Sequence, residues 1–397
     1  MLLTMTALAR SHNPLWYALL LAWTLVGVPY DSFAEGPGAL VYSEAFDGAF
    51  IGEAVLTLPE PDGKLRPEEI IERWDSFVAN ESPIVSLASS DRGHWVRWAM
   101  SSEDGTEDVV IEIATSGFKT IDLYRLDGRA LTHLAQSGRR IDFDQRKIPD
   151  THHAFRISLS SVPTTYVFRI ETAQKVTAPI HMKSLETYQH DLLIRVIIKS
   201  AFYGFILLMV LYQLAVYVFS REPLILSYVG IAVGYVAMQS ELDGTAYALI
   251  YGASVLGSDL TRALGLAVAA ISWISFTRVY LQADKRWPTL LKVQKAFGIL
   301  TVIGALSGFV LPLTVANLIA LPAASLMMSV SYVGAIRDAW QGHRASQLFV
   351  SSWTPFLGAA LLEVASLLGG VEVGINTSVA MMVGSALQLA IMAVAMS

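Results

Sequence analysis

Residues 296–336 read AFGILTVIGALSGFVLPLTVANLIALPAASLMMSVSYVGAI, 41 positions without one Asp, Glu, Lys or Arg. A helix needs about 20 apolar residues to cross the hydrocarbon core of a bilayer. The stretch therefore reads as two spans back to back. Leu311-Pro312-Leu313, with Asn317 close behind, supplies the break, because proline gives no N–H to a helix and restrains the residue before it. Working outward, Ser200 to Ser220 is uncharged between Lys199 and Arg221, and Leu224 to Ser240 is a second apolar run ending at Glu241 and Asp243. Ala263 to Thr277 lies between Arg262 and Arg278, whose long stems can snorkel to the interface. Ala345 to Val371 carries only Glu363, and Val373 to Ser397 carries no charge. Residues 193–397 thus read as an all-α bundle of seven transmembrane helices.

The loops between the spans orient it. With everything before the first span outside, the inside loops hold Arg221, then Arg278, Lys285, Arg286, Lys292 and Lys295, then Arg337 and Arg344; the outside loops hold Arg262. Lys and Arg collect on the cytoplasmic side of short loops. Seven spans with an exported N-terminal part and a cytoplasmic C-terminus are expected.

Composition agrees with a two-part chain. Of 397 residues 53% are hydrophobic and 16% charged, against about 25% charged in soluble domains. Residues 35–192 hold 25 acids and 16 bases, whereas residues 193–397 hold 8 acids and 11 bases. The formal net charge of −6 argues against a nucleic-acid partner, and the absence of Cys excludes disulfides, thiolate metal sites and Cys nucleophiles. Arg10 and His12 precede the apolar run Leu15 to Val28, followed by Ser32-Phe33-Ala34, the pattern of a secretory signal peptide over 1–34.

Residues 35–192 alternate with period two. Val109, Ile111 and Ile113 share one face, Phe155, Ile157 and Leu159 another, and Tyr166, Phe168 and Ile170 a third. Asp127-Gly128 between two strand runs is a hairpin signal. About eight strands at this spacing predict an all-β, jelly-roll-like sandwich, with one helix opening at Pro67-Glu68-Glu69. Trp95 and Arg97 share a side-chain parity that Trp98 does not, so one Trp is expected in the core while the other is free to be exposed and stack on a ligand, with core packing the alternative for either ring.

The order of features carries a resemblance. Gly93-His94-Trp95-Val96-Arg97, Ile121-Asp122-Leu123-Tyr124, Gly138, Arg146 and Thr165-Tyr166-Val167-Phe168-Arg169-Ile170 follow one another. After them come Tyr203-Gly204, Leu211-Tyr212-Gln213-Leu214, Arg221-Glu222, Tyr228, and Gln239, Ser240 and Gly244. This series resembles the bacterial seven-transmembrane receptors with diverse intracellular signalling modules, with Gln213 where that family usually has Asn. The resemblance implies an inner-membrane sensor whose exported domain is akin to carbohydrate-binding jelly rolls. On it, Trp95, Arg97, Tyr124, Arg146 and Arg169 are the candidate ligand residues, since aromatic faces and charged forks hold sugars. Gln213, Glu241, Asp243 and Glu363 are candidates for relaying a signal through the membrane, Glu363 because a carboxylate within a span is costly. Family members usually carry a kinase or cyclase after the last helix, so the resemblance implies either that the sequence is a piece of a longer protein or that a separate signalling protein is the partner, meeting Lys285, Arg286, Arg337 and Arg344. Lipid headgroups attract the same basic residues.

No P-loop, zincin or nucleophile-elbow motif occurs, and the last Lys, Lys295, precedes the fourth span, which excludes a retinal Schiff base in a late helix. The expected protein is not an enzyme and needs no cofactor; His152-His153 lacks a further ligand at helical spacing. A transporter, or an envelope or polysaccharide assembly subunit with an exported docking domain, is the alternative.

Overall fold

The computed structural model describes residues 39–44, 47–60, 65–87, 90–103, 105–172, 176–367 and 377–396. The expected signal peptide lies outside them. The N-terminal half holds strands β1 (Leu40–Tyr42), β2 (Leu56–Pro59), β3 (Val78–Ala79), β4 (Val85–Leu87), β5 (Ser90–Ser102), β6 (Glu107–Ile113), β7 (Thr120–Asp127), β8 (Ala130–Ser137), β9 (His153–Leu159), β10 (Thr164–Thr172), β11 (Val176–Ala178) and β12 (Ile180–Ser184). These are more strands than period-two alternation reveals, because β1, β3, β4 and β11 have only two or three residues each.

One sheet runs β3-β2-β5-β10-β7-β8, with β1 parallel to β5; a second runs β12-β6-β9, and β11 pairs with β4. The two larger sheets face each other over an apolar core. Val96, Trp98 and Met100 of β5 and Tyr166, Phe168 and Ile170 of β10 join Val109, Ile111 and Ile113 of β6 and Phe155 and Ile157 of β9 there. The rings of Phe155 and Phe168, one from each sheet, lie 5.0 Å apart. This is a β-sandwich, with the inward alternation the sequence predicts.

Both sheets are also covered on their outer faces. Helix α1 (Pro67–Glu72), with Pro at its start and Glu68 and Glu69 in its first turn, brings Ile70 into a cluster with Leu65, Phe77, Trp95 and Val167. On the other side Tyr188, Leu185 and Leu192 cover Val110 and Ala154. That is why β6 reads as a near-continuous apolar run rather than a strict alternation.

Among the described residues the C-terminal half holds seven long helices, α2 (Leu185–Ser220), α3 (Pro223–Leu242), α4 (Val255–Tyr280), α5 (Pro288–Ser307), α6 (Leu313–Trp340), α7 (Arg344–Leu367) and α8 (Thr377–Met396), with short helical turns at Tyr247–Tyr251 and Ala283–Arg286 in the connections. Six are long and apolar enough over their described residues to cross a membrane. Pro312 caps α6, at the predicted break. Helix α2 has 36 residues, about 54 Å at 1.5 Å per residue, against a hydrocarbon core of ~30 Å. Its first four turns therefore belong to the head. Ser184 caps it by accepting the Thr187 N–H at 3.1 Å, and Asp47 accepts both the Ser184 N–H at 2.6 Å and its hydroxyl at 2.8 Å.

Small residues let the helices close up. A Cβ on Gly234 of α3 would stand 2.6 Å from the Gly265 carbonyl of α4, and one on Gly304 of α5 would stand 2.8 Å from the Ala320 nitrogen of α6. The aromatic side chains of Trp273, Phe276, Phe349 and Trp353 fill the middle of the bundle.

Candidate functional site at the head–bundle junction

The candidate ligand residues of the head divide into a closed cluster and a junction residue. Trp95 and Trp98 do lie on opposite faces of β5, yet their exposures are 0% and 1%. Of the two readings open to the second ring, the structure gives core packing rather than exposure, because α1 and the turn after it roof the outer face. Tyr124 lies 5.8 Å from Trp95, centroid to centroid, and the Arg169 guanidinium carbon 5.9 Å from the Trp95 ring. Glu60 closes this cluster by accepting Trp95 Nε1–H and Arg169 Nε–H, each at 2.9 Å. Arg97 lies over the rings of Trp74 and Phe77 at 4.3 and 4.7 Å. These four residues are occupied by one another and by the roof, so they form no open aromatic platform.

Arg146, the fifth, sits elsewhere. Its Nη1 donates to the Asp150 carbonyl at 2.7 Å and its Nη2 to the Gly138 carbonyl at 2.8 Å, with its guanidinium 4.7 Å from the Tyr247 ring. It thereby shapes the 138–152 loop between β8 and β9, which meets the α3–α4 connection. Successive helices run in alternate directions, so that connection lies on the head side.

Two candidate relay residues meet this loop. Arg139 donates through Nη1 to Glu241 Oε1 at 2.6 Å, through Nη2 to the Glu241 carbonyl, and through Nε to the Ser116 carbonyl at 2.7 Å. Glu241 also accepts the hydroxyls of Tyr251 and Ser258. The Ser116 hydroxyl donates to the Leu242 carbonyl at 2.5 Å, and the Tyr247 hydroxyl to the Ile141 carbonyl. Asp243 accepts the Tyr203 hydroxyl at 2.8 Å, and its carbonyl accepts Lys199 Nζ at 2.9 Å; the same ammonium donates to Thr151 Oγ1 at 2.9 Å. Head, α2 and α3 are tied at one point. Gln213 is buried in the bundle away from this junction. Glu363 belongs to α7, and its side chain lies outside the described residues.

A second layer of charge lies above. Arg195 of α2 reaches Glu112 at 3.0 Å and Asp150 at 2.6 Å. Lys183 bridges Glu112 and Asp191, each at 2.7 Å. His152 Nδ1 stands 2.8 Å from Glu112, and Tyr188 donates to Asp150 at 2.8 Å. Burial opposes the charge of Glu112, but His152, Arg195 and Lys183 outweigh it and hold the carboxyl well below the ordinary range. Asp150 is likewise opposed by burial, yet Arg195 keeps it low. Burial pushes His153, which is bonded to Ser137 Oγ at 2.8 Å, well below the usual imidazole range.

Glu112, Asp150 and His152 place three potential metal-ligand atoms within 4.8 Å of one another. Their two carboxylate charges are matched by Arg195 and Lys183, which makes this a salt-bridge network in chemistry. Glu112, Arg139, Arg195 and Lys199 are not among the residues that the sequence singles out. A signal was there: Glu112 interrupts the apolar strand Val109-Val110-Ile111-Glu112-Ile113, and Arg195 and Lys199 share a helix face four residues apart.

The basic residues expected to meet a partner lie at the opposite ends of the helices. Lys285, Arg337 and Arg344 are exposed there, and Arg286 stands 3.5 Å from Asp338.

A sandwich head is thus anchored by buried polar bonds to a bundle in which six helices are long and apolar enough over their described residues to cross a membrane, the architecture of a membrane protein with a folded head domain. The family model described as 7TM diverse intracellular signalling matches residues 195–397, and that described as 7TMR-DISM extracellular 2 matches residues 52–184. The chain belongs to this family of seven-transmembrane receptors and is a membrane sensory receptor. No curated protein matches it.

Proposed function

We propose that the head binds a small polar ligand, with carbohydrate the leading class, and that the junction passes the bound state to the helices. The observation that carries this reading is the Arg139–Glu241 connection, which fixes the loop leaving β8 to the end of α3. At the other end of β8 a depression of about 440 Å3 is lined by Arg125, Asp127, Gly128, Thr164 and Thr165. The eight residues of β8 separate the two places, roughly 26 Å at 3.3 Å per residue. Charged forks and hydroxyls suit a polyhydroxylated ligand, and a sheet strand is a stiff link to the junction.

The helix bundle then shifts between two arrangements to the extent that the ligand prefers one of them. The basic ends away from the head face the cytoplasm across a bacterial inner membrane. There Lys285, Arg286, Arg337 and Arg344 meet a separate signalling protein. The chain itself catalyses nothing and takes no cofactor in this reading.

The test uses the full chain in nanodiscs with a fluorine tag on Val162→Cys, beside the depression. A panel of bacterial oligosaccharides at millimolar concentration is expected to shift the tag's resonance, and Asp127→Asn to abolish the shift. No shift across the panel, or one unaffected by Asp127→Asn, defeats the ligand assignment.

A further inference from the structure

We infer that the connection between α3 and α4 is a foot set into the head-side leaflet of the membrane, through which the packing of that leaflet acts on the junction. Residues 242–256 expose the aliphatic side chains of Leu242, Leu249, Ile250, Val255 and Leu256, with Leu249 80% and Ile250 75% exposed. The same stretch contains one charged residue, Asp243, and it is buried. Connections at the other end of the bundle have a different chemistry: 281–287 holds Asp284, Lys285 and Arg286, and 341–344 holds Gln341, His343 and Arg344. Position in the bilayer says what covers the aliphatic tip. Helix α3 has 20 residues, about 30 Å at 1.5 Å per residue, which matches the ~30 Å hydrocarbon core. Its last residue, Leu242, therefore stands at the edge of the core, and the turn that follows lies at headgroup depth. The exposed apolar face of the connection runs into those of the two spans, at Leu242 on one side and at Val255, Leu256 and Leu260 on the other. Amphipathic segments at this depth sink their apolar side about 5–10 Å into the headgroup–acyl boundary. The occupant is lipid, continuous with the lipid around α3 and α4.

The local winding gives the foot two sides. Gly252 N–H donates to the Tyr247 carbonyl at 3.0 Å, a reach of five residues, so Tyr247–Tyr251 is one turn of π-helix. Gly252 ends it at φ 56°, a conformation glycine adopts without strain. Leu249 and Ile250, two and three positions on from Tyr247, fall on the side away from it. Tyr247 is buried against the head: its hydroxyl donates to the Ile141 carbonyl, and its ring lies 5.9 Å from Phe143 and 4.7 Å from the Arg146 guanidinium. Tyr251 donates to Glu241, the partner of Arg139, and the Ala253 N–H reaches Asp142 at 3.4 Å. One short segment thus touches lipid on one side and the 138–152 loop on the other. A loosely packed leaflet admits the foot and holds the segment in place; a tightly packed one expels it and loosens the Arg139–Glu241 connection. This input is independent of any ligand in the head.

The chain has no Cys, so one environment-sensitive fluorophore can be attached at Leu249→Cys, at Ile250→Cys or, for contrast, at Val162→Cys, an exposed aliphatic position of the head. The labelled full chain is placed in nanodiscs of phosphatidylcholine and phosphatidylglycerol, with and without lipid carrying a spin label high on its acyl chain. Labels at 249 and 250 are expected to lose most of their emission to the spin-labelled lipid, and the label at 162 to keep it. Hydrogen exchange of the unlabelled chain then reads the link to the junction. Peptides covering 138–147 are expected to exchange several-fold faster in palmitoyl-oleoyl than in loosely packed dilinoleoyl phosphatidylcholine, and the peptide covering Val162 equally in both. Leu249→Asn with Ile250→Asn is expected to make 138–147 exchange fast in both lipids; either substitution alone serves if the pair does not fold. Emission at 249 and 250 as insensitive to the spin-labelled lipid as that at 162 would overturn the inference, whether the tip sits in water or under a protein partner. So would exchange at 138–147 that ignores lipid packing, or a lipid dependence that survives the substitutions.

Discussion

Replacing Arg139 by Gln removes the guanidinium that joins the head to α3. Its three bonds reach Glu241 twice and Ser116 once, and the paired side chains are 25% and 7% exposed. Two unit charges about 4 Å apart interact by ~4 kcal/mol at an effective dielectric near 20. Partial exposure of the guanidinium and the cost of desolvating the pair reduce this, to a coupling of about 2 kcal/mol. A change of that size is a roughly 30-fold shift in an opening equilibrium. Hydrogen exchange of the full chain in nanodiscs reads it directly, in peptides covering 138–147 and 241–252. Arg139→Gln and Glu241→Gln are each expected to speed exchange there about 30-fold, and the double variant to add little to either. Arg125→Gln serves as the contrast, because the Arg125–Asp127 pair is 44% and 43% exposed and such pairs contribute little. Changes under three-fold in the single variants, or full additivity in the double, would refute the view that this pair holds the junction shut.

Acid should loosen the head before it denatures the bundle. Burial, helped by the nearby Lys183 charge, lowers His181 to about 4, and burial holds His153 well below its ordinary value. The unfolded chain takes up these protons first, near pH 6.5, so stability is full above that pH. It falls between pH 6.5 and about 4, by up to ~1.4 kcal/mol per pH unit for each histidine. A head that melts at the same temperature or higher at pH 5 than at pH 7.5, followed by exchange, would contradict this. In the membrane, Gly234→Leu is expected to abolish a monodisperse fold in detergent, since even its Cβ would stand 2.6 Å from the Gly265 carbonyl, while Gly358→Ala, with open space around it, is expected to be neutral. Size-exclusion profiles of the two variants distinguish them, and equal behaviour would sink the packing argument. Trp95→Ala is expected to cost the head about 3–5 kcal/mol as a lower melting temperature. An unchanged melting temperature would mean that the residue is not part of a closed cluster.

The helices were legible because the bilayer leaves few alternatives: an uncharged run of the right length must satisfy its own backbone. Pro312 marked the break in 296–336 because its chemistry is local. The sandwich was legible for the same reason, through side chains alternating along β9 and β10. What could not be read is what covers a strand from outside. Trp95 carries the right parity for a surface aromatic, and only the docking of α1, 25 residues earlier, puts it in the dark. The junction was harder still. Arg139 and Glu241 are 102 residues apart in sequence, and each alone is an ordinary charge beside a turn. Glu241 and Asp243 drew notice as acids at the end of a span; their partners come from the 138–152 loop and α2, whose approach no periodicity encodes.

Head and helices move as one unit through the junction. The chain has no Cys, so two spin labels can be placed without interference. Val162 in the head and Val310 in the α5–α6 connection are 70% and 87% exposed and tolerate them. In nanodiscs, dipolar distance measurements between labels on Val162→Cys and Val310→Cys should give one narrow distribution. Adding Arg139→Gln and Glu241→Gln together should broaden it or split it in two. A broad distribution with the junction intact, or the same narrow one after both substitutions, would contradict the claim.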